Sequence, residues 1–128
     1  MKSLLQGRSI LIVDDESELR EILAEEFEAL GATVRTAAGG NEAYSLFEQS
    51  MPDVILSDVR MSGGDGIALL SRVRQRSPNA PPYFFLLTGF AETHEVQLLS
   101  PGSVEMITKP FSLRSLRDRV VAVCDLIT

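Results

Sequence analysis

Three short stretches, Ile10-Leu11-Ile12-Val13, Val54-Ile55-Leu56 and Phe84-Phe85-Leu86-Leu87, are apolar at every position. A strand with one wet face alternates apolar and polar residues, whereas a strand covered on both faces reads as an unbroken apolar run. Three such strands therefore require a sheet with helices packed on each side. Two further strands complete the set, Thr33 to Ala37 and Val104 to Thr108, beside the fuller ranges Ser9 to Val13, Val54 to Ser57 and Tyr83 to Leu87. Thr33-Val34-Arg35-Thr36-Ala37 alternates, which suits a sheet edge.

Helix-period segments lie between these strands. Leu19, Ile22, Leu23, Phe27 and Leu30 share one face of a first helix that stops at Gly31. Leu113, Leu116, Val120, Val123 and Ile127 do the same near the C-terminus, with Ser112 placed as N-cap. Shorter helices are expected over Asn41 to Glu48, Ile67 to Arg76 and Glu92 to Leu99, with breaks at Pro78 to Pro82 and at Pro101-Gly102. The pattern is an α/β chain of five βα units. Its 128 residues, 45% of them apolar, suit one domain spanning residues 1–128 and are enough to bury a core without disulfides or a structural metal. One cysteine forms no internal bridge, and no apolar run has the length of a membrane span or the shape of a signal peptide. The expectation is a soluble, cytoplasmic protein with no membrane partner. A net charge of −6 argues against direct nucleic-acid binding, which needs clustered Lys and Arg.

Crossover connections are right-handed almost without exception, so the strands should run parallel and direct their C-terminal ends to one edge, where open sheets of this kind bind ligands. At that edge the first strand runs into Asp14, Asp15 and Glu16, the third into Asp58, the fourth into Thr88, and the fifth into Lys109-Pro110-Phe111. Two carboxylates about 4 Å apart repel by about 1 to 4 kcal/mol, so a cluster of them needs positive charge. Lys109 can serve one carboxylate, and the remaining pair makes a natural Mg²⁺ site. The ligand implied is a phosphoryl group, with a hydroxyl and an ammonium as donors to its oxygens and Asp58 as the nucleophile that forms an acyl phosphate.

The segments Leu11-Ile12-Val13-Asp14-Asp15-Glu16, Asp58-Val59-Arg60-Met61 leading to Asp65-Gly66, Leu87-Thr88-Gly89 and Thr108-Lys109-Pro110-Phe111 together resemble the receiver domain of bacterial two-component response regulators, chemotaxis receivers among them. The resemblance covers about residues 8 to 127. It implies a flavodoxin-like sheet of order 2-1-3-4-5 with helices on both faces, and Asp58 as acceptor of a phosphoryl group from a sensor histidine kinase or phosphotransfer protein. It also implies Mg²⁺ held by Asp15, Asp58 and the backbone carbonyl of Arg60, with Asp14 acting through water. Lys109 would contact the phosphate before a cis Pro110, and Thr88 would swing toward the phosphoryl group as the switch. The fourth helix and its flanking loops would then change which downstream target or output domain binds, and a phosphorylation-dependent homodimer is compatible with this. No output domain is expected within these residues, and the chain is expected to be a switch rather than an enzyme.

Each residue also has a plainer role. Asp15 or Ser17 could simply cap the first helix, and Asp58 could be a loop residue before Gly63-Gly64. Thr88 could end its strand by bonding local backbone. Asp65 is expected to cap the third helix, His94 to be an exposed helix residue, and Cys124 to be an inert core thiol. The glutamates Glu18, Glu21, Glu25, Glu26 and Glu28 make the first helix acidic, and Arg72, Arg74 and Arg76 make the third basic. These are ordinarily solvated faces, although kinase docking beside the first helix is the sharper reading.

The chain departs from the family pattern where Ser62 replaces the usual Pro after Met61, which predicts a slightly looser loop. Met106 stands where many receivers carry a Tyr or Phe that reports phosphorylation, and Arg60 and Phe90 occupy positions that tune the lifetime of the phosphoryl group. Two rival functions remain. One is a receiver-like interaction module that is not phosphorylated. The other is a Mg²⁺-dependent phosphatase of the haloacid dehalogenase type, which is disfavoured because Asp14 and Asp15 are adjacent rather than spaced as D-x-D and no cap domain has room.

Overall fold

The computed structural model describes residues 3–89 and 104–127. Strands β1 (Ser9–Val13), β2 (Thr33–Ala37), β3 (Val54–Asp58), β4 (Tyr83–Thr88) and β5 (Val104–Thr108) form one sheet in the order β2-β1-β3-β4-β5. All adjacent pairs are parallel. The flavodoxin-like architecture is therefore as expected, with the alternating strand β2 at one edge. Helices α1 (Ser17–Ala29), α2 (Gly40–Gln49), α3 (Gly66–Arg76) and α4 (Leu113–Leu126) connect or follow the strands. The helix expected over 92–99, with Phe90, His94 and Pro101-Gly102, lies outside the described residues.

Alternation along the strands divides the apolar side chains between two cores, one on each face of the sheet. Ile10, Ile12, Val54, Leu56, Phe85 and Leu87 pack with Leu23 and Phe27 of α1 and with Leu116 and Val120 of α4. Leu11, Val13, Ile55, Phe84 and Leu86 face the other way, onto Phe47 of α2 and Leu69, Leu70 and Val73 of α3. Cys124 is buried in the first core, and burial pushes its thiol pKa up to about 11.

The caps of α3 and α4 are as predicted. Asp65 accepts from the Ala68 N–H at 2.8 Å, and Ser112 Oγ accepts from the Ser115 N–H at 3.1 Å. The N-cap of α1 differs, being Glu16 with no side-chain bond, while Asp15 accepts from the Ser62 N–H instead of capping the helix. Gly31 ends this helix at φ 96°, a left-handed conformation that costs glycine nothing.

Two further differences concern packing. Ile22, expected on the buried face of α1, is 50% exposed. Leu5, in the N-terminal turn, is fully buried in the first core, and its N–H donates to the Leu30 carbonyl at 2.8 Å, satisfying an end of α1. Among the described residues, no helix is long and apolar enough to cross a membrane.

Candidate phosphoacceptor and cation site

Register brings the acidic residues together. Val13 pairs with Ser57 across β1 and β3, so the residues that follow, Asp14 and Asp58, sit side by side at the C-terminal edge. Asp15 joins them, and one ligand atom from each of these three carboxylates lies within 4.8 Å of the others. On the opposite side of Asp58, Lys109 Nζ donates to Asp58 Oδ2 at 3.0 Å. The Lys109 N–H donates to the Thr88 carbonyl at 2.7 Å, which fixes the end of β5 beside the end of β4, and the Lys109–Pro110 peptide is cis. Thus Asp14, Asp15, Asp58, Thr88 and Lys109 converge. Arg60 lies exposed in the same loop, two residues after Asp58.

Asp58 and Thr88 are the last residues of β3 and β4 rather than the first residues beyond them, a shift of one position from the sequence expectation. The sheet ladder continues through both, since Asp58 pairs with Leu87 and Thr88 with Thr108. Asp58 is thereby anchored on a strand rather than on a loop.

Asp14 is 1% exposed. Its Oδ1 accepts from the Glu16 N–H at 2.8 Å, while its Oδ2 is buried with no hydrogen-bond partner among the described residues. Burial, followed by the charge of Asp58, raises its carboxyl above the ordinary range, against the lowering effects of the Glu16 N–H and Lys109. A buried carboxylate oxygen without a donor is costly, and a water held by a divalent cation would satisfy it. The donor set therefore fits Mg²⁺.

Two supporting residues escaped the sequence reading. Arg20, one turn into α1, donates from Nη1 to the Asp14 carbonyl at 2.7 Å and steadies the turn that presents the acidic pair. Ser62 donates from its N–H to Asp15 Oδ2 at 3.1 Å. The looser loop expected from this serine is instead tied to the site. The departure from proline was visible in the sequence, but its consequence depends on a backbone N–H that proline lacks.

Comparison with known proteins bears on the whole constellation. The family model described as the response regulator receiver domain matches residues 10–121. The chain belongs to the response regulator receiver domain family. It is similar to the receiver domain of the Francisella response regulator 1452, with TM-score 0.83 and 30% identity over 95% of this chain and 100% of that one. It also resembles the signal receiver domain of a signal transduction histidine kinase from Syntrophus aciditrophicus, with TM-score 0.84 and 27% identity, covering 95% of this chain and 93% of the other. Among curated proteins, the DNA-binding transcriptional regulator NtrC of Salmonella typhimurium is 33% identical over 122 residues, 94% of this chain and 25% of that protein. The phosphate regulon transcriptional regulatory protein PhoB of Pseudomonas aeruginosa is 36% identical over 118 residues, 91% of this chain and 52% of that protein. The chain thus spans about a quarter and about half of the length of these two curated relatives. Receiver domains of this family are signalling switches phosphorylated on an aspartate by histidine kinases.

Proposed function

We propose that Asp58 is the phosphoacceptor of this receiver and that phosphorylation requires Mg²⁺. The observation that carries the reading is the contact of Lys109 Nζ with Asp58 Oδ2 at 3.0 Å beside a three-carboxylate cluster whose Asp14 Oδ2 lacks a donor. A carboxylate oxygen of Asp58 attacks phosphorus, and the bond to the donor imidazole nitrogen breaks with its electron pair remaining on the ring. The products are an aspartyl phosphate and a histidine. Lys109 and the Thr88 hydroxyl then serve the new phosphoryl oxygens, whose added charge of about 1.5 to 2 is the switching signal. Asp15, Asp58 and the Arg60 carbonyl would hold Mg²⁺ directly, and Asp14 through water. The ion supplies charge neutralisation at the phosphoryl oxygens.

A sensor histidine kinase or phosphotransfer protein is the phosphoryl donor. Leu19, Ile22, Pro110, Phe111 and Leu113 line a groove of about 520 Å³ between α1 and α4, and Lys109 forms part of its wall. A histidine-bearing helix seated on this groove would deliver its phosphoryl group next to Asp58, which accounts for an exposed Ile22 on an otherwise acidic helix. The receiver is read as a switch without substrate turnover beyond its own aspartyl phosphate. Its output passes through a protein target or an output domain, or through a homodimer formed on phosphorylation, and it makes no direct nucleic-acid contact. A cytoplasmic setting accords with kinase donors.

Acetyl phosphate or beryllofluoride with Mg²⁺ tests this reading. The wild-type chain should gain the mass of a phosphoryl group, or show a shifted spectrum with beryllofluoride, and Asp58→Asn should do neither. A wild-type chain that stays inert, or a variant that responds equally, overturns the reading. Partner binding that is identical in both proteins would favour the unphosphorylated interaction module.

A further inference from the structure

We infer that Ser62 is a positioning residue for the divalent cation, holding the Asp15 carboxylate in the orientation that the ion needs. The inference rests on the reading of Asp14, Asp15 and Asp58 as the cation-holding set. Asp15 is exposed, so its side chain would otherwise be free to sample several rotamers. Two donors restrain it. The Ser62 N–H and Oγ both reach Asp15 Oδ2, at 3.1 and 3.4 Å, across 47 positions of sequence. Because they converge on one oxygen, the other is left for a cation.

The loop that carries Ser62 is itself held. The Gly40 N–H donates to the Gly64 carbonyl and the Asn41 N–H to the Gly63 carbonyl, each at 3.0 Å, so the first turn of α2 grips the two residues that follow Ser62. A side chain at position 40 would bring its Cβ to 2.9 Å from the Gly64 carbonyl oxygen, and one at position 39 would come to 2.8 Å from that of Gly63. The grip therefore requires glycine at both positions. Arg72 of α3 donates to Asn41 Oδ1 at 3.2 Å and joins a third element to the clamp. Outer hydrogen bonds that orient a metal ligand commonly change metal affinity by about 10- to 100-fold.

Calorimetric titration of Mg²⁺ into the metal-free chain provides the test. Ser62→Pro removes both donors and should weaken binding about tenfold. Ser62→Ala keeps the N–H and should fall between Ser62→Pro and wild type, while Ser62→Thr keeps both donors and should restore wild-type affinity. A residue that merely supports the fold would lower Tm equally with and without Mg²⁺, whereas a positioning residue reduces the gain in Tm that Mg²⁺ produces. Wild-type affinity in folded Ser62→Pro overturns the role of Ser62 alone, and absence of Mg²⁺ binding in wild type overturns the reading of the site and this inference with it. Should Ser62→Pro not fold, the Ser62 amide proton of the wild-type chain decides by nuclear magnetic resonance. It stays downfield and protected on Mg²⁺ addition if the contact orients the ligand, and loss of that protection overturns the proposal.

Discussion

Lys109 Nζ stands 3.0 Å from Asp58 Oδ2, joining the end of β5 to the end of β3 across 51 positions of sequence. The ammonium meets the Asp58 carboxylate through a compact point charge. Lys109→Met should slow phosphorylation from acetyl phosphate by about 100-fold, the usual cost of losing a donor to developing negative charge. Lys109→Arg should not restore the rate, because a planar fork cannot occupy the same point contact. Initial rates of phosphoprotein formation at saturating Mg²⁺ check both.

Asp14→Asn should stabilise the metal-free chain by on the order of 1 kcal/mol, by removing one of three crowded negative charges, and should abolish most of the gain in Tm given by Mg²⁺. The sign with pH follows from the raised carboxyl of Asp14. Between its ordinary value of 3.8 and its higher folded value, the native chain holds more proton than the unfolded chain. Native stability therefore falls as pH rises through that interval. The advantage of Asn over Asp should grow across the interval and then level off, as measured by urea unfolding with a chelator present.

Glu105 on β5 shows the opposite sign. Arg119 of α4 grips its carboxylate with two bonds of 2.7 Å, and the Tyr83 hydroxyl adds a third at 3.2 Å. The Arg119 bonds lower the Glu105 carboxyl below 4.5, against a smaller opposing effect of burial. Its contribution is then complete above 4.5 and disappears as pH falls through the lower folded value. Because Arg119 is about half exposed, Arg119→Met should cost at most about 1 kcal/mol near neutrality. The difference in Tm between the two proteins should close in acid.

Leu5→Ala should cost about 2 to 5 kcal/mol, as for other fully buried leucines. Thermal unfolding measures it, and a loss below about 1 kcal/mol would show that the N-terminal turn does not belong to the core.

This last residue marks where sequence reasoning stopped. The strands were legible because a parallel sheet covered on both faces leaves unbroken apolar runs, and the acidic edge followed once the strands were taken as parallel. Leu5 was not legible, since a single buried side chain in a short turn has no period to detect. Ile22 had the right spacing for a core face but lies at its margin, where the helix turns toward the groove. The ends of β3 and β4 were set one residue short, because polar Asp58 and Thr88 read as loop although their backbones still pair. Asp58, Lys109 and the acidic pair were found because side-chain chemistry is written in residue identity. The Ser62 contact uses its own N–H and the Arg20 contact ends on the Asp14 carbonyl, main-chain groups that sequence does not display.

The buried thiol of Cys124 offers a built-in clock. With its proton held to about pH 11 and its sulfur sealed beneath α4, alkylating reagents can reach it only when that helix lifts from the sheet. The chain has a single cysteine, so the labelling rate reports that opening alone. Comparing that rate before and after phosphoryl transfer would show whether the signal tightens or loosens the far side of the domain.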